Sequence, residues 1–178
     1  MPGSRDWGRI CAGRLAELAG ISEPGPGVTR LPFTPEHRAA LDLLTRWMEA
    51  AGLSVHLDAA GTLIGHRQGP PGAPTFLMGS HQDSVREGGA FDGIMGVVLA
   101  LTALEKLAAE GAVLPFAVEV LAFADEEGVR FPTALIGSRG VPDRSGATRS
   151  EPPDITSCGN CPAKRLRRRR RRRASSCP

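Results

Sequence analysis

Apolar and polar positions along the first 139 residues follow helical and strand periodicities in turn, which predicts a layered domain. The predicted helices span residues 4–20, 34–51 and 93–110. The predicted strands span residues 53–57, 62–67, 75–79 and 116–124. The first two strands predict a hairpin, the third a short buried strand, and the last, almost wholly apolar, a central strand buried on both faces. This order of elements favours an α/β fold with a mixed sheet.

Composition and charge divide the chain at about residue 140. Hydrophobic residues make up 41% of the sequence, as expected of a globular protein. Residues 1–139 carry a net charge of −5, whereas residues 140–178 carry +8. Cys11 is the one cysteine of the acidic part, so no disulfide framework is expected there. We find neither a signal peptide nor a membrane-spanning run, and expect a cytoplasmic protein without a membrane partner.

Polar residues suited to a hydrolytic metal centre follow two of the predicted strands. His81 offers a neutral imidazole nitrogen, and Asp83 is placed to hold its other ring N–H. Asp92 opens a helix, where a carboxylate is favoured, and its two oxygens can bridge two cations. Glu126 and Glu127 would point apart in an extended segment, so that one binds metal while the other faces water as general base.

Each of these residues also has a simpler interpretation. A His-x-Asp pair is usually a surface pair, Asp before a helix is usually an N-cap, and adjacent Glu residues after a strand are usually solvated. Two clusters at the carboxyl ends of strands favour the metal interpretation, because sites of open α/β sheets gather at that edge.

The segments GSHQDSVREGGAFDGIMGVVLALTALEKL and EVLAFADEEGVRFPTALIGSRG resemble the di-metal amidases of the hydantoinase/carbamoylase group. This group includes allantoate amidohydrolase, which is the most similar by these motifs, N-carbamoyl-L-amino-acid hydrolase and beta-ureidopropionase, and is related to aminoacylase-type zinc peptidases. The resemblance covers about residues 5–139 and implies a zinc-peptidase-like three-layer catalytic domain. It further implies that His81 and Glu127 each bind one of two divalent ions (Zn or Mn), that Asp92 bridges them, and that Glu126 is the proton shuttle.

The resemblance also implies hydrolysis of a linear amide or ureido C–N bond in a small-molecule substrate, by a homodimer formed through an inserted lid domain. The sequence departs from that pattern after residue 139. Members carry two further histidine ligands beyond the Glu pair, whereas no histidine follows His81, and no lid domain is recognisable. We therefore expect a truncated fragment that is inactive as it stands.

Residues 140–178 have no helical or strand periodicity and are rich in Arg, Pro and Cys. We interpret them as a disordered tail produced by a frameshift. The alternative is a polyanion-binding protein, because the run Arg167–Arg173 would bind nucleic acid without sequence preference. No aromatic residue accompanies the run for base stacking, so we expect such binding to be incidental.

Overall fold

The computed structural model describes residues 5–140. Its helices are α1 (Trp7–Ala19), α2 (Pro35–Ala50), α3 (Ile94–Ala109) and the short α4 (Ile136–Arg139). Its strands are β1 (Ser54–Leu57), β2 (Leu63–Arg67), β3 (Thr75–His81) and β4 (Ala117–Phe123). All seven predicted elements are present in the predicted order.

Two of the three long helices begin with a side-chain cap. The Asp6 carboxylate accepts the backbone N–H of Arg9 at 3.0 Å before α1, and the Thr34 hydroxyl accepts that of His37 at 3.2 Å before α2. Both bonds satisfy a helix N–H that has no partner within the helix. At α3 the N-cap is Gly93 and no side-chain cap bond is present. Asp92 directly precedes this cap residue, and its place at the start of α3, where a carboxylate is favoured, agrees with the sequence.

The four strands form one mixed sheet in the order β1-β2-β4-β3, which confirms the predicted fold class. β1–β2 and β2–β4 are antiparallel pairs, whereas β3 and β4 are parallel. β4 is buried along six of its seven residues, as predicted for a central strand. β3 is not the buried strand that its apolar sequence predicts, since Phe76 is 53% and Leu77 47% exposed. Among the described residues it pairs with β4 alone and so forms an edge of the sheet.

One hydrophobic core joins α1, α2 and α3 to the same face of the sheet. From β4 it takes Val118, Val120 and Ala122, which alternate along the strand as a single face requires. α3 lies close to β3, because a Cβ added at Gly96 would be only 2.7 Å from that of Ser80. This close approach places the first turn of α3 beside the carboxyl end of β3.

The predicted division into a catalytic domain over residues 1–139 and a tail over 140–178 stays a prediction. All but the first residue of that tail lies outside the described residues. Within residues 5–140, no helix is both long and apolar enough to cross a membrane.

Candidate metal centre

The two polar clusters of the sequence meet at one edge of the sheet. His81 is the last residue of β3 and is in register with Phe123, the last residue of β4. Because the two strands are parallel, the loops that follow them leave the sheet at the same edge. Asp92 comes to this edge from the loop that leads into α3, and the Glu126-Glu127 pair comes from the turn after β4.

Three side chains of this edge converge closely enough to share a cation. His81, Asp92 and Glu127 each offer one ligand atom, and these atoms lie within 4.8 Å of one another. His81 Nε2 is 3.9 Å from Asp92 Oδ1 and also 3.9 Å from Glu126 Oε2. The His81 side chain is 12% exposed, whereas Asp92 is 60% and Glu126 44% exposed. The cluster therefore combines a sheltered imidazole with the open carboxylates of Asp92 and Glu126, while Glu127 is half-buried. The roles of these residues as ligands and base stay predictions.

The ring of His81 is oriented by a backbone carbonyl. Its Nδ1 is 3.0 Å from the carbonyl oxygen of Asp83, and the Asp83 carboxylate is more distant, at 3.7 Å. The expectation that the carboxylate holds the ring N–H is thus corrected: the main chain of the same residue does. A carbonyl can only accept, so Nδ1 carries a hydrogen, and in the neutral imidazole the free lone pair is then on Nε2, on the side of the carboxylates.

The Asp83 carboxylate is instead used to hold the turn that carries the two glutamates. It is fully buried and accepts the backbone N–H of Glu126 at 3.2 Å and of Glu127 at 3.4 Å. Burial raises the pKa of Asp83, while these two N–H donors and the nearby His81 act in the opposite direction. Asp83 therefore ties the loop after β3 to the turn after β4.

The chain bends sharply after β4, so the extended arrangement expected for the glutamates is not formed. Asp125 has φ +55°, and its carbonyl oxygen accepts the N–H of Leu135 at 2.6 Å. This bend brings carboxylate oxygens of both Glu126 and Glu127 to the His81 side of the turn. Glu126 and Glu127 therefore both approach His81, and their side chains do not point to opposite sides of the chain.

The electrostatics of the cluster fit a bound cation. Burial is the main reason that the pKa of Glu127 is raised, and the carboxylates of Asp92, Glu126 and Asp83 raise it further against the effect of His81. Such crowding of acidic groups is relieved by a cation among them. Imidazole nitrogen with carboxylate oxygen is a donor set that Zn²⁺ and similar divalent ions accept.

Several features of the site had no counterpart in the sequence interpretation. Burial and the neighbouring Asp83 raise the pKa of Asp125 to about 7, and neither of its carboxylate oxygens has a hydrogen-bond partner among the described residues. Gly93, with φ +64°, lies against the ring of His81, where an added Cβ would be 2.3 Å from Cε1. Arg30 and Gln82 are buried behind the cluster. Of these residues, only Gly93 had a signal in the sequence, because it lies between the candidate ligand Asp92 and the predicted helix.

A mixed α/β sheet with this cluster at its carboxyl edge is the arrangement expected of zinc-peptidase-like hydrolases. The model of peptidase family M28 matches residues 61–151, and the chain belongs to this family. An N-carbamoyl-L-amino acid amidohydrolase of Geobacillus stearothermophilus is 44% identical over 147 residues, and allantoate deiminase 1 of Glycine max is 40% identical over 131 residues. The resemblance to the hydantoinase/carbamoylase amidases is thereby confirmed.

Solved structures show the same fold. A hydantoinase/carbamoylase family amidase from Burkholderia ambifaria matches with a TM-score of 0.70 and 38% identity, over 75% of this chain and 33% of that one. The two curated relatives are matched over 82% and 72% of this chain but only 34% and 27% of their own lengths. The chain thus spans about a third of the length of the proteins that it matches.

Proposed function

We propose that this chain is the N-terminal part of a metal-dependent amidohydrolase that cleaves a linear amide or ureido C–N bond. The observation that carries the proposal is the convergence of His81, Asp92 and Glu127 at one sheet edge, with Glu126 beside them. Relatives named for N-carbamoyl amino acids and for allantoate support this substrate class. Both kinds of substrate carry a carbonyl bonded to nitrogen, which is the bond such a site would hydrolyse.

The side chains divide the work between metal binding and proton transfer. His81 Nε2 and the carboxylates of Asp92 and Glu127 would hold the divalent cations, Zn or Mn, with Asp92 between them. When bound, such ions lower the pKa of a water and polarise a carbonyl. Glu126 takes the proton of the attacking water at its carboxylate and passes it to the departing nitrogen, as a general base that then acts as an acid. Asp83 keeps Glu126 in place through the backbone N–H.

The three candidate ligands alone do not enclose two cations, so we propose that residues 1–178 bind metal without efficient turnover. The experiment combines Zn²⁺ and Mn²⁺ titration calorimetry with ammonia release from allantoate and from an N-carbamoyl-L-amino acid. We expect binding, abolished in Asp92→Asn, and little ammonia. Absence of binding to the folded chain would contradict the metal centre, whereas rapid metal-dependent ammonia release would contradict the inactivity alone.

The role of Glu126 is best tested in a longer protein in which the reading frame has been restored and the catalytic domain is complete. Translating the downstream DNA in the other two frames should recover a histidine-containing continuation, and its absence would contradict the frameshift interpretation. In the restored enzyme, Glu126→Gln should reduce kcat by about 10²–10⁴-fold, the range supplied by general acid–base catalysis. Its metal content should stay that of the wild type. A loss of metal that parallels the loss of kcat would make Glu126 a ligand instead of the base.

A further inference from the structure

The loop between the two candidate ligands His81 and Asp92 is paired with the segment of residues 28–30. Val28 and Gly88 exchange backbone hydrogen bonds of 2.9 and 2.8 Å, and the N–H of Ser84 donates to the Arg30 carbonyl at 3.1 Å. The Ser84 hydroxyl accepts the N–H of Arg30 at 2.9 Å and donates to the Val28 carbonyl at 3.1 Å. These hydrogen bonds hold the loop of residues 84–88 in a fixed position along the segment of residues 28–30.

The Arg30 side chain adds a second connection, directly beside His81. It is 1% exposed, and its Nε donates to the carbonyl of Gln82 at 2.8 Å. Its Nη1 donates to the carbonyls of Leu18 at 2.9 Å and Ile21 at 3.1 Å, at the end of α1, where a cation is favoured by the helix dipole. Burial lowers the pKa of the Arg30 guanidinium, and the carboxylate of Asp83 acts in the opposite direction by attracting its charge. Arg30 thus links the end of α1 to the peptide that follows His81.

These contacts bracket one residue, Asp83. Arg30 holds the carbonyl of residue 82 and the hydroxyl of residue 84, and the carbonyl between them is the acceptor for His81 Nδ1. A shift of this loop would move the acceptor away from the ring. Since a carbonyl on Nδ1 selects which nitrogen of the neutral ring carries the hydrogen, the position of the loop controls whether Nε2 is free to bind a cation.

We propose that Arg30 is a positioning residue for His81: by fixing the loop 82–84, it holds the imidazole in the Nδ1–H form with Nε2 free for a cation. None of the described hydrogen bonds of Arg30 goes to a candidate ligand side chain. The positioning of the ring stands on the contacts above, while its use in metal binding rests on the proposed function.

The experiment compares Arg30→Met and Arg30→Lys with the matched control Arg14→Met. Arg14 is likewise a sheltered arginine, and it belongs to α1. Its two terminal nitrogens each donate to a Glu105 oxygen at 2.8 Å. It joins α1 to α3 and makes no contact with the loop among its described hydrogen bonds. Arg14→Met therefore shows what the loss of a sheltered arginine does to the stability of the fold when the loop 82–84 keeps its hydrogen bonds.

The first measurement is the ¹⁵N NMR pattern of the His81 ring in the metal-free chain, at a pH well above the usual histidine pKa of about 6.5. We expect the Nδ1–H form in the wild type and in Arg14→Met, and a mixture with the Nε2–H form in Arg30→Met. Arg30→Lys, which keeps one charged donor for the Gln82 carbonyl, should recover most of the wild-type pattern. A folded Arg30→Met chain with the wild-type pattern would overturn the proposal.

The second measurement is Co²⁺ affinity followed by absorption. Loss of the hydrogen-bond partner of a metal-binding histidine typically costs about 10–100-fold in affinity, so Arg30→Met, which displaces that partner, should bind Co²⁺ up to about that much more weakly than Arg14→Met. If Arg30→Met fails to fold, Arg30→Leu replaces it, since it removes the same side-chain donors to Gln82, Leu18 and Ile21. A wild-type ring pattern in the folded Arg30→Leu chain would then overturn the proposal. If the ring pattern responds to Arg30 while the wild type binds no cation, the proposed function fails and the positioning of His81 stands.

Discussion

Gly93 leaves the space that the His81 imidazole occupies, and filling that space tests the candidate site directly. The residue has φ +64° and ψ −62°, and the N–H of Ile94 donates to the carbonyl of Asp92 at 2.7 Å across it. This is a γ-turn of the positive-φ kind, which is rare and strained for residues other than glycine. An added Cβ would be 2.3 Å from His81 Cε1 and 2.4 Å from both ring nitrogens.

The expected effect of Gly93→Ala has two parts that the structure separates. The backbone strain of a non-glycine residue in such a conformation costs about 1–3 kcal/mol of folding free energy. The second part is displacement of the ring, because ordinary carbon contacts begin near 3.4 Å and the ring must yield by about 1 Å. A Zn–N bond is only about 2.0–2.1 Å long, so a shift of that size removes the imidazole from the coordination sphere. We expect affinity to fall by at least about tenfold, or ~1.4 kcal/mol.

Gly111, at the other end of α3, provides the matched control. It has φ +72° and nothing within 4 Å of an added Cβ, so Gly111→Ala introduces strain without a clash. Urea unfolding measures the stability of both variants, and Co²⁺ titration measures the affinity of both. Both should be less stable than the wild type, and only Gly93→Ala should lose affinity. Wild-type affinity in a folded Gly93→Ala chain, or an equal loss in Gly111→Ala, would refute the reasoning.

Three further outcomes follow from other parts of the chain. Burial, with Arg30 and Arg130 nearby, lowers the pKa of His37 to about 4. Its contribution to the free energy of unfolding is therefore fully present above pH ~6.5 and is lost as pH falls toward 4, by about 3 kcal/mol in total. In urea unfolding, His37→Gln should reduce this dependence of stability on pH. Asp83→Asn should lose about 1.5–3 kcal/mol of stability, because one buried N–H of the glutamate turn loses its charged acceptor; unchanged stability would contradict this role. Retention on heparin should depend on salt and disappear when residues 164–173 are deleted, and retention without them would exclude the arginine run as its cause.

Local signals in the sequence were sufficient for most of the secondary structure. Thr34 followed by Pro35 begins α2 in the structure as in the prediction, because capping and the φ of proline involve only adjacent residues. The apolar run of β4 predicted a buried central strand, and in the structure six of its seven residues are buried and it lies between β2 and β3. The exposure of β3 was not predictable in this way, since it depends on which strands pair on its other side.

The sequence alone indicated that both polar clusters would gather beyond the carboxyl ends of strands, where sites of open α/β sheets form. The parallel pairing of β3 with β4, which brings them to one edge, came from the tertiary structure. The tertiary structure decided how these residues are held. The acceptor of the His81 ring is a carbonyl and not the Asp83 carboxylate, and Arg30 reaches that loop from more than fifty residues away. Such contacts depend on which backbone atoms of distant segments come within about 3 Å of each other in the folded chain. Residue type and spacing along the sequence do not predict those distances.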